Sequence, residues 1–171
     1  MSTVKIGERE VGAGRPAYII AEAGANHDRD IDVAHRLIDV AADARADAVK
    51  FQTYSAEKLY SRKTPRLSEM DDFDRSPKGE TPFDLIKRIE LPREWQSELY
   101  SHAAERQLDF LSTPFDLEAA LELDQLGVKA HKISSYEIRY YDLIAQCARS
   151  GKPVIVSTGN SDLADVERAV R

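Results

Sequence analysis

Short apolar runs alternate along this chain with longer stretches in which apolar residues recur every three or four positions. That alternation is the pattern of strands and helices laid down in turn around a parallel sheet. The runs predict strands at 17–21, 48–52, 109–112, 130–134 and 153–157. The periodic stretches predict helices at 31–44, 93–106, 117–126, 141–150 and 162–170. In the first of these the apolar stripe is Val33, Leu37, Val40 and Ala44; in the second it is Trp95, Leu99 and Ala103, with Pro92 near the first turn. Gly127 and Gly151 fall where helices end in a left-handed residue. Residues 3–11 alternate weakly and predict a small hairpin. One connection breaks the rhythm: residues 54–82 are polar, with three prolines. A connection of that length is either a functional loop or a tolerated surface insertion.

Side chains alternate across a strand, so parity sorts each run into two faces. In 48–52, Val49 and Phe51 share one face and Lys50 and Gln52 the other. The apolar face belongs against the helices, so Lys50 and Gln52 point inward. The same argument pairs Ile20 with Glu22, Leu111 with Thr113, Lys132 with Ser134 and Ile155 with Ser157. Glu22, Lys50, Gln52, Thr113, Lys132, Ser135, Glu137 and Ser157 thus gather at or just beyond the C-terminal strand ends. Each alone reads as a solvated side chain, a turn residue or a helix cap. Two lysines facing inward from apolar strands are harder to place at a surface, because an uncompensated buried ammonium is expensive. Glu22 and Glu137 supply part of the compensation, and a phosphate or carboxylate ligand would supply the rest.

The chain has 171 residues, 42% hydrophobic and 32% charged, with a net charge of −6. This is ordinary composition for a cytoplasmic globular domain. No basic block points to nucleic acid, no apolar run is long enough for a membrane span, and the opening residues lack a signal-peptide apolar region. The single cysteine, Cys147, excludes an intrachain disulfide framework and sits at a helix core position. An open doubly wound sheet is an alternative architecture, but the stretch after the first strand, Ala21 to His27, lacks the G-x-G-x-x-G fingerprint of dinucleotide binding. A (β/α)8 barrel needs eight strands. Five are visible, so on that reading the chain carries the first five βα units preceded by the hairpin.

Five motifs, in order and each at a strand end, resemble the sialic acid (N-acylneuraminate) synthase family. They are Tyr18-Ile-Ile-Ala-Glu-Ala-Gly-Ala-Asn-His27, Ala46-Asp-Ala-Val-Lys-Phe-Gln-Thr53, Phe110-Leu-Ser-Thr-Pro-Phe-Asp116, His131-Lys-Ile-Ser-Ser-Tyr-Glu137 and Gly151-Lys-Pro-Val-Ile-Val-Ser-Thr-Gly159. The likeness runs from about residue 4 to the last residue. The family includes N-acetylneuraminate, legionaminate and pseudaminate synthases, and Tyr136 before Glu137 is closer to the bacterial nonulosonate members. The resemblance implies a barrel enzyme that condenses phosphoenolpyruvate with an N-acetylmannosamine-like amino sugar. Carbon 3 of phosphoenolpyruvate attacks the open-chain aldehyde, water attacks carbon 2, and phosphate leaves by C–O cleavage. It implies that Lys50, Thr113, Lys132, Ser135 and Ser157 bind phosphoenolpyruvate, that Gln52 and Glu137 hold the sugar, and that Glu22 orients the sugar's reacting groups or the attacking water.

A divalent metal, Mn²⁺ or Mg²⁺, is implied for the complete enzyme, with its histidine ligands beyond Arg171. Three further βα units, a small C-terminal antifreeze-like domain and a homodimer are implied too. On this view residues 1–171 alone are not a competent catalyst. Two positions depart from the family pattern: Arg45 stands where glycine is usual, and Asn160 where an apolar residue is common. Among the histidines, His27 is either near the site or a turn residue, His131 has the parity that faces the helices, and His35 and His102 lie within helices. Alternatives are another phosphoenolpyruvate-dependent keto-acid synthase, a Schiff-base aldolase using Lys132, and a non-catalytic fragment.

Overall fold

A computed structural model describes residues 3–65 and 79–171. The hairpin is present as strands β1 (Val4–Ile6) and β2 (Arg9–Val11), antiparallel. Then come β3 (Ile20–Gly24), α1 (Ile31–Asp43), β4 (Ala48–Thr53), α2 (Ala56–Leu59), α3 (Pro82–Ile89), α4 (Gln96–Glu105), β5 (Asp109–Pro114), α5 (Leu117–Leu126), β6 (His131–Ile133), α6 (Tyr141–Arg149), β7 (Val154–Val156) and α7 (Leu163–Ala169). The fold is α/β with parallel pairing. Strands β3, β4 and β5 form one sheet and β6 and β7 another.

Three features differ from the expectation. The first core strand begins at Ile20 rather than 17, because the Asp47 carboxylate accepts the Ile19 N–H at 2.7 Å and holds the entry to the strand out of the ladder. Glu22 therefore lies within β3, at a register irregularity between Glu22 and Gly24. Second, the five strands are not one continuous sheet among the described residues. Strand β6 is three residues long and directs its backbone to β7: His131 N–H donates to Pro153 at 2.9 Å and Ser157 N–H to Ile133 at 3.1 Å. Third, the connection over 54–82 holds the short α2 and leads straight into α3, and residues 66–78 of it lie outside the described ones. Helix α3 starts with Pro82 and a capping box in which Thr81 and Asp84 serve each other's backbone N–H groups.

Parity is visible in the packing. Val49, Phe51 and Phe110 are buried with Ile38 of α1, Leu99 of α4 and Leu123 of α5. Ile133, Val154 and Val156 pack with Leu143 and Cys147 of α6. The opposite faces of all five core strands meet in a third cluster of Ile20, Ala48, Leu111, Ala130 and Ile155, and Ile6 and Val11 of the hairpin close its lower end. Fully burying side chains of this size stabilises by about 1.5–3 kcal/mol each.

Helices α1, α4 and α5 end alike, with Arg45 (φ 59°), Gln107 (φ 61°) and Gly127 (φ 93°) in the left-handed region. In α1, Arg45 N–H donates to Ala42 at 2.8 Å and Ala46 N–H to Ala41 at 3.1 Å, the paired bonds of a Schellman motif. Arg45 thus takes the conformation for which glycine is favoured, at a cost of about 1 kcal/mol.

Two histidines are buried without a full set of partners. His27 Nε2 and both ring nitrogens of His131 lack a hydrogen-bond partner among the described residues. Burial lowers both pKa values from the ordinary 6.5. The unfolded chain then binds more protons than the folded one below about pH 6.5, so stability falls as pH drops through that value. We expect the urea midpoint to decline between about pH 7 and pH 5, and the decline to flatten in the double variant His27→Gln/His131→Gln. A wild-type midpoint level across that window contradicts the assignment.

Candidate functional site

The parallel register lines up the inner-facing positions. Glu22 pairs with Lys50 and Lys50 with Leu111, Gln52 pairs with Thr113, and Lys132 pairs with Ile155. Leu111 and Ile155 belong to the same interior cluster, so Lys50 and Lys132 rise from one interior layer on the same side of the strands. The Lys50 ammonium is ion-paired with Glu22, which is half exposed. Gln52 Nε2 donates to the other Glu22 oxygen at 3.5 Å. Gly24 (φ 56°) turns the chain beside this pair, and a Cβ there would lie 3.2 Å from Glu22 Oε1. Thr113 is 3% exposed beside Gln52.

Across the opening, Lys132 Nζ donates to Ser157 Oγ at 2.6 Å and to the Ile133 carbonyl at 2.7 Å. Burial holds its pKa below the ordinary lysine value, and the Lys50 charge lowers it further, while Glu22 and Glu137 oppose the shift. Burial likewise raises the Glu137 carboxyl above the usual range, against a hydrogen bond from Ser134 and the Lys132 charge. Two opposite charges each pushed toward neutrality mark a site with more burial than compensation.

Above this floor lies a cleft of about 670 Å³. Gln52, Ser135, Glu137 and Ser157 line its polar side, and Tyr54, Phe115, Ile86 and Ile89 its apolar side. Of the eight residues singled out by sequence, the structure groups Glu22, Lys50 and Gln52, joins Lys132 to Ser157, and sets Ser135 and Glu137 on the cleft wall. Ser134 is not among the eight, although its hydroxyl binds Glu137 and accepts the Tyr136 N–H at 3.2 Å. The spacing Ser134-x-x-Glu137, that of a capping box, carries the signal. The apolar wall escapes the sequence pattern because Tyr54 lies in the polar connection that reads as loop and Ile86 and Ile89 lie in α3, the helix that follows it.

His27 resolves to the turn. It is wholly buried between the Phe51 and Trp95 rings, at 6.4 and 6.2 Å, and its Nδ1 accepts the Arg29 N–H at 3.0 Å. His131 faces α5, 3.8 Å from Asp124. Neither points into the cleft, and among the described residues no group of three or more His, Cys, Asp or Glu side chains is placed to hold a metal ion. Glu22 and Glu137 are engaged by Lys50 and Ser134. The described residues do not fit a divalent ion at this mouth, so no step is assigned to one here.

A model of the NeuB family matches residues 37–171. The chain belongs to this family of sialic acid synthases. The spore coat polysaccharide biosynthesis protein SpsE of Bacillus subtilis is 40% identical over 171 residues, which is 100% of this chain and 44% of that protein. The N,N'-diacetyllegionaminic acid synthase of Campylobacter jejuni is 38% identical over 156 residues, 91% of this chain and 46% of that protein. The crystal structure of an N-acetylneuraminic acid (sialic acid) synthetase from Leptospira borgpetersenii, in complex with citrate, superposes with a TM-score of 0.82 at 32% identity, covering 99% of this chain and 54% of that one. The chain therefore spans less than half the length of these two curated relatives. No helix among the described residues is long and apolar enough to cross a membrane.

The Ser134 contact makes a titration testable. Its hydroxyl stabilises the ionised Glu137 carboxylate, so Ser134→Ala should raise the Glu137 pKa beyond its already raised position. Carboxyl carbon shifts followed by NMR against pH read this directly. A Glu137 titration unmoved by the substitution shows that the hydroxyl does not support the carboxylate.

Proposed function

We propose that this chain provides the phosphoenolpyruvate-binding half of a synthase that joins phosphoenolpyruvate to an N-acylated amino sugar. In this proposal it forms the first five βα units of a (β/α)8 barrel, completed by further units and a small C-terminal domain in a homodimeric cytoplasmic enzyme. The observation that carries the reading is the pair of inner-facing lysines at one strand-end mouth. Phosphoenolpyruvate brings a phosphate and a carboxylate, and such anions gain most from charge-assisted donors in a partly desolvated site.

In the proposed roles, Lys50, Thr113, Lys132, Ser135 and Ser157 hold phosphoenolpyruvate. Lys132 exchanges its bond to Ser157 for one to the anion and regains its proton affinity. Gln52 and Glu137 hold the amino sugar at the cleft wall, where Glu137 in its protonated form can donate to a sugar oxygen. Glu22 orients the sugar's reacting groups or the water. Carbon 3 bonds to the aldehyde carbon, water adds its oxygen at carbon 2, and the C–O bond to phosphate breaks. A divalent metal of the complete enzyme would be held by residues outside this chain, where it would supply Lewis-acid chemistry.

In the complete enzyme, Lys132→Ala should weaken phosphoenolpyruvate by the value of one charge-assisted bond, about 1.5–3 kcal/mol or roughly 10- to 150-fold, and the amino sugar far less. Calorimetry with each substrate separates the two, and equal losses would make Lys132 a structural lysine. The 171-residue chain alone should release no phosphate from phosphoenolpyruvate, N-acetylmannosamine and Mn²⁺. Sustained release would move the metal site into this half.

A further inference from the structure

The cleft above the lysines has two unlike sides. Its polar lining, Gln52, Glu137 and Ser157, comes from β4 and from the residues just beyond β6 and β7. The facing wall is built from the segments that leave β4 and β5. Tyr54 and Phe115 follow those strands directly, Leu59 ends α2, and Ile86 and Ile89 lie a turn apart on α3. The Tyr54 and Phe115 rings meet edge to face with centroids 5.4 Å apart. Tyr54 is buried, and its hydroxyl donates to the Ile89 carbonyl at 3.3 Å, so that proton is already engaged. Ion pairs and a backbone bond fix this wall in place. Glu90, at the end of α3, accepts the Ala56 N–H at the start of α2 at 3.0 Å and the Lys87 ammonium at 2.6 Å. Lys87 also lies 3.2 Å from Glu57, and Lys58 ties α2 to Asp116 at 3.0 Å.

We propose that this wall selects the amino sugar, with Leu59, Ile86, Ile89 and Phe115 receiving a methyl group where a fully hydroxylated sugar carries its terminal hydroxymethyl. The inference rests on the synthase reading above and narrows its second substrate. With phosphoenolpyruvate on the lysine floor, the sugar aldehyde has to point down to it, and the far end of the sugar rises against the wall. A hydroxyl placed there exchanges water for carbon and gains no partner, which costs binding. A methyl group placed there leaves water for an apolar surface, which favours binding. Two other phenols border the cleft, Tyr60 and Tyr136, 42% and 78% exposed. Bonds from such exposed hydroxyls to a sugar replace bonds to water, so they offset little of the cost. Apolar pockets separate substrates that differ by one small group by on the order of 10- to 100-fold in kcat/KM, and a preference of that size is expected here.

The test uses the complete protein with saturating phosphoenolpyruvate and follows phosphate release with two sugars: N-acetylmannosamine, and its analogue in which the terminal hydroxymethyl is a methyl. The unsubstituted protein should favour the methyl analogue by about tenfold or more in kcat/KM. Ile86→Thr and Leu59→Asn, each at a half-buried position, should shrink that ratio at least about threefold and leave the KM for phosphoenolpyruvate in place. A merely structural role would lower both sugars alike and leave the ratio unmoved. Either variant suffices if the other does not fold, and the ratio in the unsubstituted protein can fail by itself. Equal efficiency with both sugars, or a preference that neither variant alters, overturns the role of the wall while the synthase reading stands. Absence of phosphate release with both sugars overturns the synthase reading and this inference together.

Discussion

Two ammonium groups share one layer at the end of a bundle of parallel strands, and the arrangement of the mouth follows from the need to keep them there. Lys50 is 8% exposed and Lys132 half-buried. Their compensation is uneven. Lys50 has the Glu22 carboxylate, whereas among the described residues Lys132 has a hydroxyl and a carbonyl in direct contact and no carboxylate. The nearby acid, Glu137, is itself pushed toward its neutral form by burial. Burial drives both shifts: the lysine is inclined to lose its proton because too little negative charge lies beside it, and the glutamate to keep one because it has lost solvent. A bound polyanion would supply that charge, return the proton to Lys132 and leave Glu137 free to act on the second substrate.

The fold keeps this layer apolar below and polar above. Ile20, Ala48, Leu111, Ala130 and Ile155 fill the interior under the lysines, and the hairpin closes the far end with Ile6 and Val11. Helices α1, α4, α5 and α6 take up the opposite strand faces through Phe51, Phe110 and Ile133. Because parallel pairing sets residues of like parity side by side, one register decides that Glu22, Lys50, Gln52 and Thr113 rise together. A slip of one residue in β4 would send both Lys50 and Gln52 into the helices.

Period-two alternation makes this much legible from the residues alone. Lys50 reads as inward because Val49 and Phe51 on either side have to meet helices, and His131 reads as outward for the same reason. What alternation cannot supply is decided by hydrogen bonds between distant residues. The start of β3 depends on Asp47 capturing the Ile19 N–H, and the inward wall of β3, β4 and β5 stops where β6 turns its backbone to β7. Helix α3 is obscured by the polar connection before it, although Thr81-Pro82-x-Asp84 is a helix start on its face. Ser134 and His27 mark the two directions of error. Ser134 shares the inward parity of Lys132 but is not among the eight, yet it supports Glu137. His27 has the character of a chemical group, yet it braces a turn beneath Trp95.

In the proposed enzyme Lys50 and Lys132 together hold a phosphorylated carboxylate. The most direct measurement is a crystal structure of the complete protein with phosphoenolpyruvate bound. Both Nζ atoms should lie within about 4 Å of phosphate or carboxylate oxygens, with Lys132 released from Ser157. A ligand bound elsewhere, with Lys50 still on Glu22 and Lys132 still on Ser157, would contradict it.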